Sequence, residues 1–318
     1  MIAASVYAGE GLARYAFPAG HPFGPGRLEA FWKRAQELGL ADRARRCEGR
    51  CATREEIERF HSPDYVRTVK DMSAQGCGFL DQGDTPAFPG VFDAAAFVVG
   101  SALDAVESIV AGRARRAFLP IGGLHHARRE RAAGFCVFND CGVVIETLRR
   151  VHGIRRVAYV DIDAHHGDGV YYPFQEDPEV FIADIHEDGR SLYPGTGSAE
   201  EVGVGPAKGT KLNLPMAPRS GDKAFLRVWE RAEEFVRSVR PEFILFQCGA
   251  DSLAGDPIAH LAYSASAHAH AAVRLCSLAE KLGHGRLLAF GGGGYSLNNV
   301  SEAWCGVLRS MIEVPVRE

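Results

Sequence analysis

Four short apolar segments recur along this chain, and each runs directly into a loop that carries glycines and ionisable side chains. They lie at 117–120, 157–160, 243–247 and 287–290. Such continuous apolar runs are typical of strands that are buried on both faces of a parallel sheet. In open parallel sheets the ligand site lies at the carboxyl ends of the strands. The pattern therefore predicts an α/β protein whose active site collects these four loops.

The segments between the strands have helical patterns, and the alternation predicts a parallel sheet with helices on both faces. One helix is expected to start with Ser62 as its N-cap and Pro63 at its first position. Other helices are predicted at 27–38, 91–111, 139–150, 222–239, 264–282 and 297–312, and a further strand at 180–185. The first 60 residues are expected to be helical and rich in loops. We predict a single domain over residues 1–318.

Composition restricts the class of protein. The 318 residues are 46% hydrophobic and 24% charged, as in ordinary globular proteins, and a net charge of -4 gives no indication of a nucleic-acid surface. The sequence has no run of 18 apolar residues and no signal peptide, which predicts a cytoplasmic protein without a membrane span. The basic clusters at 43–46, 113–116 and 155–156 are expected to be exposed at helix ends or in loops.

The cysteines are expected to be free thiols. Eight cysteines in a chain of this length do not resemble a disulfide framework. Cys47 and Cys51 are four residues apart and could share a helix face, but no CxxC pair accompanies them, which argues against a zinc knuckle.

The segment 161–169, with the sequence DIDAHHGDG, carries three carboxylates and two imidazoles within eight residues. Aspartate is almost never fully buried unless it is paired or bound to a metal, so packing alone does not account for this cluster. Asp163 and His165 are two apart, so in an extended segment they point the same way and offer two ligands to one divalent cation. The simpler alternative, a solvated acidic loop, would suit one isolated acid or histidine.

Six motifs in order carry a resemblance to a known family. They are GGLHHA at 122–127, GFCVFND at 134–140, DIDAHHGDG at 161–169, YPGTG at 193–197, QCGADSLAGDP at 247–257 and GGGGY at 291–295. Together they resemble the histone deacetylase family, which includes bacterial acetoin-utilisation proteins and acetylpolyamine amidohydrolases. The resemblance runs from about His21 to Trp304. It implies a single-domain arginase/deacetylase-like fold, with the site at the C-terminal ends of the strands.

The resemblance implies a metal centre and a catalytic set. One zinc ion would be held by Asp163, His165 and Asp251, with Fe²⁺ as an alternative because two carboxylates form a hard ligand set. The catalytic residues would be His126 as general base, His125 as its electrostatic partner, Asp161 and Asp168 as the respective carboxylate partners of His125 and His126, and Tyr295 as the donor to the oxyanion.

The resemblance also implies substrate and potassium sites. Phe135 and Tyr193 would be the aromatic walls of an acyl-lysine tunnel, although for either residue taken alone ordinary core packing is the favoured explanation. Asp84 would grip substrate amides at the rim, and Arg27 would line an acetate channel, where the alternative is an exposed arginine at a helix start. The other substrate-binding positions are Gly134, Ile258 and Gly293. Structural K⁺ would bind at Asp161, Asp163, His165, Asp184 and Ile185, and a second K⁺ at Phe174, Asp177 and Val180.

These assignments predict an enzyme that removes acetyl or other acyl groups from lysine in proteins or peptides. Gly167 stands where arginases have a carboxylate for a second metal, which argues against a binuclear manganese enzyme. Ile258 stands where polyamine-selecting relatives have glutamate, and the absence of that carboxylate favours acyl-lysine. An acetylated polyamine is the alternative substrate. A catalytically silent acyl-lysine-binding protein is the third hypothesis, and the presence of Tyr295, His126 and all three zinc ligands argues against it. Acyl-chain length and oligomeric state have no signature in the sequence.

Overall fold

The computed structural model describes residues 2–316, and its centre is one eight-stranded parallel sheet with the strand order β2-β1-β3-β8-β7-β4-β5-β6. The strands are β1 (Ile2–Tyr7), β2 (Arg45–Cys47), β3 (Ala114–Leu119), β4 (Val157–Asp161), β5 (Val180–Glu187), β6 (Lys211–Met216), β7 (Phe243–Gln247) and β8 (Leu287–Phe290). Every residue of β4, β5, β7 and β8 is buried, so both faces of the sheet are covered. The predicted fold class is confirmed.

Ten α-helices are present among the described residues. They are α1 (Glu10–Ala13), α2 (Arg27–Glu37), α3 (Arg54–Ile57), α4 (Pro63–Gln75), α5 (Val91–Val110), α6 (Asp140–Arg150), α7 (Asp168–Phe174), α8 (Asp222–Val239), α9 (Ala265–Lys281) and α10 (Leu297–Glu313). Helix α5 contacts β3, β8 and α6, whereas α9 contacts β7, β8, α8 and α10. Ser62 caps α4 as predicted, because its hydroxyl accepts a hydrogen bond from the Tyr65 amide at 3.3 Å.

The four strands that the sequence predicts most clearly are neighbours at the centre of the sheet. Strands β3, β8, β7 and β4 lie side by side in that order, and Asp161 at the end of β4 is in register with Gln247 at the end of β7. Because all four run in the same direction, the loops that follow them meet at one edge. The sheet thereby brings the six sequence motifs together.

The expectation for the first 60 residues is wrong in part. Strands β1 and β2 lie in this region and extend the sheet beyond β3. Strand β2 has only three residues, and two of them are arginines, so it lacks an apolar pattern. Cys47 lies in β2 and Cys51 in the following loop, so the two do not share a helix face. All eight cysteines are free, as predicted.

One arginine of the basic clusters is buried. Arg116 lies within β3 and is fully buried, where its guanidinium donates to Glu280 at 2.8 Å and to the backbone oxygens of Met311 and Val314 at 2.8 Å each. The expectation of an exposed cluster at 113–116 is therefore wrong for Arg116, which ties α9 and the end of α10 to the sheet. None of the helices in residues 2–316 is both long enough and apolar enough to cross a membrane.

Candidate active site

Three potential metal ligands converge beyond the ends of β4 and β7. Asp163 and His165 follow β4, and Asp251 lies in a 3₁₀ turn, Ala250–Ser252, that follows β7. The His165 Nδ1 atom lies 3.1 Å from Asp163 Oδ1 and 3.2 Å from Asp251 Oδ2. One ligand atom from each residue lies within 4.8 Å of the others, and all three residues are buried. Two carboxylates and one imidazole at this spacing fit a single divalent cation, as the sequence predicted.

The charges of this group also fit a cation. Burial and the Asp163 charge raise the pKa of Asp251 to about 7. Burial opposes ionisation of Asp163 too, but His125 and His165 outweigh it and hold the pKa of Asp163 well below its usual value. Two buried carboxylates side by side are costly unless a positive charge accompanies them. A bound metal would supply that charge.

Glycines allow the loops to close around these ligands. A Cβ atom on Gly293 would lie 2.0 Å from Asp251 Oδ2. The backbone amide of Gly293 donates to Asp163 Oδ2 at 2.9 Å. The second donor to this oxygen is Gln247 Nε2 at 2.8 Å, at the end of β7. Any side chain at position 293 would therefore displace the predicted ligands.

The two adjacent histidines form a hydrogen-bonded pair with separate carboxylate partners. His125 Nδ1 lies 2.8 Å from Asp161 Oδ2, and His126 Nδ1 lies 2.8 Å from Asp168 Oδ1. The two Nε2 atoms are 3.1 Å apart. This is the pairing that the sequence predicted.

The environments of the two histidines drive their pKa values apart. Burial lowers the pKa of His125, but the carboxylates of Asp161 and Asp163 outweigh burial and raise it to about 10. Burial and the neighbouring His125 cation lower the pKa of His126 to about 4. These opposite shifts favour the proton on His125 over His126, so His126 is the better candidate to accept a proton.

Tyr295 faces the same inner cavity. The residues lining it are Phe23, Gly123, Leu124, His125, His126, Gly134, Cys136, Asp163, His165, Gly292, Gly293 and Tyr295. The Tyr295 amide donates to Asp256 Oδ2 at 2.9 Å, which fixes the backbone of the glycine loop. Burial and Asp251 raise the pKa of Tyr295 well above its usual value, so the phenol keeps its proton. Its hydroxyl has no hydrogen-bond partner within residues 2–316 and is free to donate to a ligand.

The buried side chain of Arg27 binds the backbone of this glycine loop. It is 3% exposed, and its guanidinium donates to the backbone oxygens of Gly292 and Gly294 at 2.5 and 2.9 Å. The side chain lies over the Phe23 ring at 4.1 Å. Its Nη1 atom is buried without a hydrogen-bond partner in the described part of the chain. The alternative of an exposed arginine at a helix start is wrong.

The predicted aromatic walls stand at the entrance. Phe135 packs edge-on against Tyr295 with ring centroids 5.8 Å apart, and Tyr193 packs against His126 at 5.1 Å. Tyr193 is 46% exposed, which core packing does not explain. An outer cavity of about 410 Å³ is lined by Asp84, Gly134 and Tyr193, among others.

The backbone at the entrance is held by hydrogen bonds from two other loops. Phe135 has a positive φ of 67°, and its carbonyl accepts from Tyr15 at 2.7 Å while its amide donates to Thr85 at 3.1 Å. Ile258 is half-buried, and within the described residues it lines neither the inner nor the outer cavity. Gly134 lines both cavities and Asp84 and Tyr193 line the outer one, whereas Phe135, like Ile258, lines neither within the described residues.

Comparison with known proteins decides the family. The sequence profile described as "Histone deacetylase domain" matches residues 21–311. This chain belongs to the histone deacetylase family.

Similar proteins include bacterial and eukaryotic family members. The acetoin utilization protein AcuC of Bacillus subtilis is 35% identical over 306 residues, which cover 93% of this chain and 79% of that protein. Histone deacetylase RPD3 of Saccharomyces cerevisiae is 30% identical over 313 residues, covering 95% and 70% respectively. The solved structure of the HDA15 HD domain has a TM-score of 0.89 at 25% identity, covering 99% of this chain and 90% of that one. These likenesses support a hydrolase of the deacetylase type.

Several residues that position the catalytic groups were assigned no role from the sequence. The Tyr159 hydroxyl donates to Asp161 at 2.6 Å, and Arg128 donates to the second oxygen of Asp168 at 2.7 Å. Asp140 accepts from the amides of Gly123 and Leu124 at 2.9 and 2.7 Å and so shapes the loop before His125. Asp140 and Gln247 stand inside the histone deacetylase motifs, which is the signal that could have found them. Arg128 and Tyr159 lie outside the motifs and carry no such signal.

The two predicted potassium sites differ in whether a side-chain cation already binds their oxygens. At the first, Asp161 at the end of β4 is the register partner of Asp184 within β5, and the Gly167 amide donates to Asp184 at 2.9 Å. At the second, the backbone oxygens of Asp177 and Val180 accept hydrogen bonds from the Lys211 ammonium. The residues present at this second site do not fit a potassium ion.

Proposed function

We propose that this chain is a metal-dependent lysine deacylase that hydrolyses the ε-amide of acyl-lysine in proteins or peptides. The observation that carries the proposal is the convergence of three elements on one inner cavity. These are the buried group of Asp163, His165 and Asp251, the histidine pair with its two carboxylates, and the free hydroxyl of Tyr295. We assign zinc as the resident metal, with Fe²⁺ as the alternative.

The reaction adds water to the amide carbonyl carbon and breaks the carbon–nitrogen bond. When bound, the metal ion supplies Lewis acidity, which polarises the carbonyl and acidifies water. His126 Nε2 accepts the proton that the attacking water loses, while Asp168 holds the opposite nitrogen and fixes the tautomer. Protonated His125 contributes positive charge near the developing oxyanion.

Tyr295 and His126 complete the cycle. The Tyr295 hydroxyl donates to the carbonyl oxygen as negative charge grows there, which is a contribution that increases in the transition state. His126 then returns its proton to the leaving nitrogen, so that the products are a carboxylate and an amine. Buried Arg27, with its unpaired Nη1, is positioned to attract the carboxylate product, which supports its assignment to an acetate channel.

The entrance fits a long alkyl stem. Phe135 and Tyr193 present aromatic rings that suit a methylene chain, and the pair also suits the cationic amine product. Asp84 lines the outer cavity and is assigned to substrate amide groups at the rim. We also assign one structural potassium ion to Asp161, Asp163, His165, Asp184 and Ile185.

A substrate screen tests this proposal. Purified enzyme should hydrolyse acetyl-lysine peptides in preference to acetylputrescine, compared by kcat/KM in one buffer. A chelator should abolish the activity, and added Zn²⁺ or Fe²⁺ should restore it. Preference for the acetylated polyamine would replace the proposed substrate, and binding of acyl-lysine peptides without turnover by metal-loaded enzyme would make the protein a binding module.

A further inference from the structure

Lys211, the first residue of β6, places its ammonium group inside a cluster of oxygen atoms. The residue is 2% exposed. Its Nζ atom donates to the backbone oxygens of Val180 at 2.6 Å and Asp177 at 3.0 Å, and to the Thr210 hydroxyl at 2.8 Å. A lysine ammonium has three N–H donors, so every donor is used. Lysine is almost never this buried without such partners.

The same carbonyl oxygens are those that the family resemblance assigns to a second potassium ion. A potassium ion and an ammonium group are both monovalent cations that bind several oxygens. They cannot share the oxygens of Asp177 and Val180, because two like charges at such short distances repel strongly in a protein interior.

We propose that the Lys211 ammonium takes the place of the second structural potassium ion, so that this chain carries its cation covalently at that position. The proposal rests on the contacts of Lys211 and does not depend on the proposed activity.

The surroundings of Lys211 support a permanent cation. A Cβ atom on Gly203 would lie 3.2 Å from the Lys211 Cγ atom, so Gly203 packs closely over the aliphatic stem. Asp177 and Glu179 are the nearby acids, and both pair with Arg149. Burial lowers the pKa of Lys211 to about 8, against the opposing effect of Asp177, so the amine still carries its proton at neutral pH.

The position of Lys211 connects this cation to the active site. The segment 175–179 joins the end of α7 to the start of β5, and Lys211 binds Asp177 within it and Val180 directly after it. Helix α7 begins at Asp168, which holds His126. The ammonium therefore anchors the far end of the helix whose first residue orients the proposed general base.

Anomalous diffraction from crystals soaked in Tl⁺, a potassium substitute, tests the proposal directly. Wild-type crystals should show no Tl⁺ at the backbone oxygens of Asp177 and Val180. Crystals of Lys211→Ser, in which the short side chain leaves the oxygens free, should gain a Tl⁺ peak there. Tl⁺ at these oxygens in the wild type, with Lys211 displaced, would overturn the proposal, as would a folded Lys211→Ser protein without the peak.

Thermal unfolding in K⁺ or tetramethylammonium chloride gives an independent test. An ion that binds only the folded state raises the Tm. Lys211→Ser should gain a larger Tm increase from K⁺ than the wild type, since the other predicted potassium site is common to both. The matched control is Lys208→Ser, which changes an exposed lysine three residues away and should respond as the wild type does. Equal K⁺ responses of Lys211→Ser and wild type would contradict the proposal. If Lys211→Ser does not fold, the wild-type Tl⁺ experiment decides.

Discussion

At the scale of single residues, the two adjacent histidines differ because of what surrounds each of them. His125 faces the carboxylates of Asp161 and Asp163, which hold its proton, whereas His126 lies beside that cation and loses affinity for a proton. Two titratable groups whose surroundings separate their pKa values are typical of an acid–base pair. The assignment of His126 as general base therefore rests on charge as well as on position in the motif.

The first prediction separates the two histidines. His126→Ala should lower kcat by about 10²–10⁴-fold with little change in KM, because proton transfer contributes in the transition state. His125→Ala should cause a smaller loss, since it removes only a nearby charge. Steady-state kinetics on an acetyl-lysine peptide measure both, and an equal or greater loss in His125→Ala would reverse the assignment.

The second prediction concerns the Tyr295 hydroxyl. Tyr295→Phe keeps the ring against Phe135 and removes only the donor, so kcat should fall roughly 10²–10³-fold. The metal content should stay unchanged, and the variant should still bind intact acyl-lysine peptide in a calorimetric titration. Near-normal turnover by Tyr295→Phe would mean that another group stabilises the oxyanion.

At the scale of elements, the rim loop that carries Asp84 gives the site a pH dependence of its own. Burial and the neighbouring Asp81 carboxylate raise the pKa of Asp84 to about 6. The loop is held to the tunnel wall, because Thr85 accepts from the Phe135 amide. Asp84, the rim acceptor that we propose, is therefore ionised mainly above about pH 6.

The third prediction follows from this raised pKa. Below about pH 6 Asp84 is protonated and accepts substrate amides poorly, so KM for a peptide should rise as the pH falls from 7 to 5. Asp84→Asn should have a raised KM at pH 7 and should lose this pH dependence. The same KM profile in the wild type and Asp84→Asn would exclude Asp84 from substrate binding.

A strand could be predicted from the sequence when its buried residues form an apolar run. Strands β3, β4, β7 and β8 are buried on both faces and read as apolar runs. Strand β6 has a lysine and an asparagine among its buried positions and also contains a proline, so its pattern does not indicate a strand. The role that we propose for Lys211 could not be predicted from the sequence either, because it depends on a contact with Asp177, in a loop 34 residues earlier in the chain.

In the candidate site, too, some residues could be predicted from the sequence and others could not. The proposed metal ligands and catalytic residues lie inside dense motifs, from which they were assigned. The residues that orient them could not, because a hydrogen bond such as that of Arg128 to Asp168, 40 residues apart, has no local sequence pattern. The sequence left open whether Arg27 is buried or exposed. Only the folded structure shows that it lies beneath the glycine loop.

At the scale of the whole molecule, stability and catalysis are located in different parts of the sheet. The loops at the carboxyl ends of the strands hold the site, whereas Arg116 within β3 joins α9 and α10 through Glu280 and two backbone oxygens. Removing one partner of a buried ion pair is strongly destabilising. This predicts a class of substitutions that affects folding alone.

The fourth prediction tests that separation. Arg116→Ala should lower the free energy of unfolding by about 3–5 kcal/mol, measured by urea denaturation, because it removes a buried guanidinium together with its hydrogen bonds to Glu280 and two backbone oxygens. The kcat of the folded fraction should remain close to that of the wild type. Arg67→Ala, which removes an exposed arginine from a pair with Asp64, is the control and should change stability by less than about 1 kcal/mol. A stability loss no larger than that of the control would mean that the Arg116 pair contributes little.

The most direct measurement is a metal titration of metal-free protein, with hydrolysis of an acetyl-lysine peptide as the readout. Activity should rise with added Zn²⁺ and level off at about one ion per chain, because the proposed ligands Asp163, His165 and Asp251 could hold one metal ion. Asp251→Ala should stay inactive throughout the titration. Full activity in the metal-free protein, or a plateau at about two ions per chain, would contradict the mononuclear mechanism.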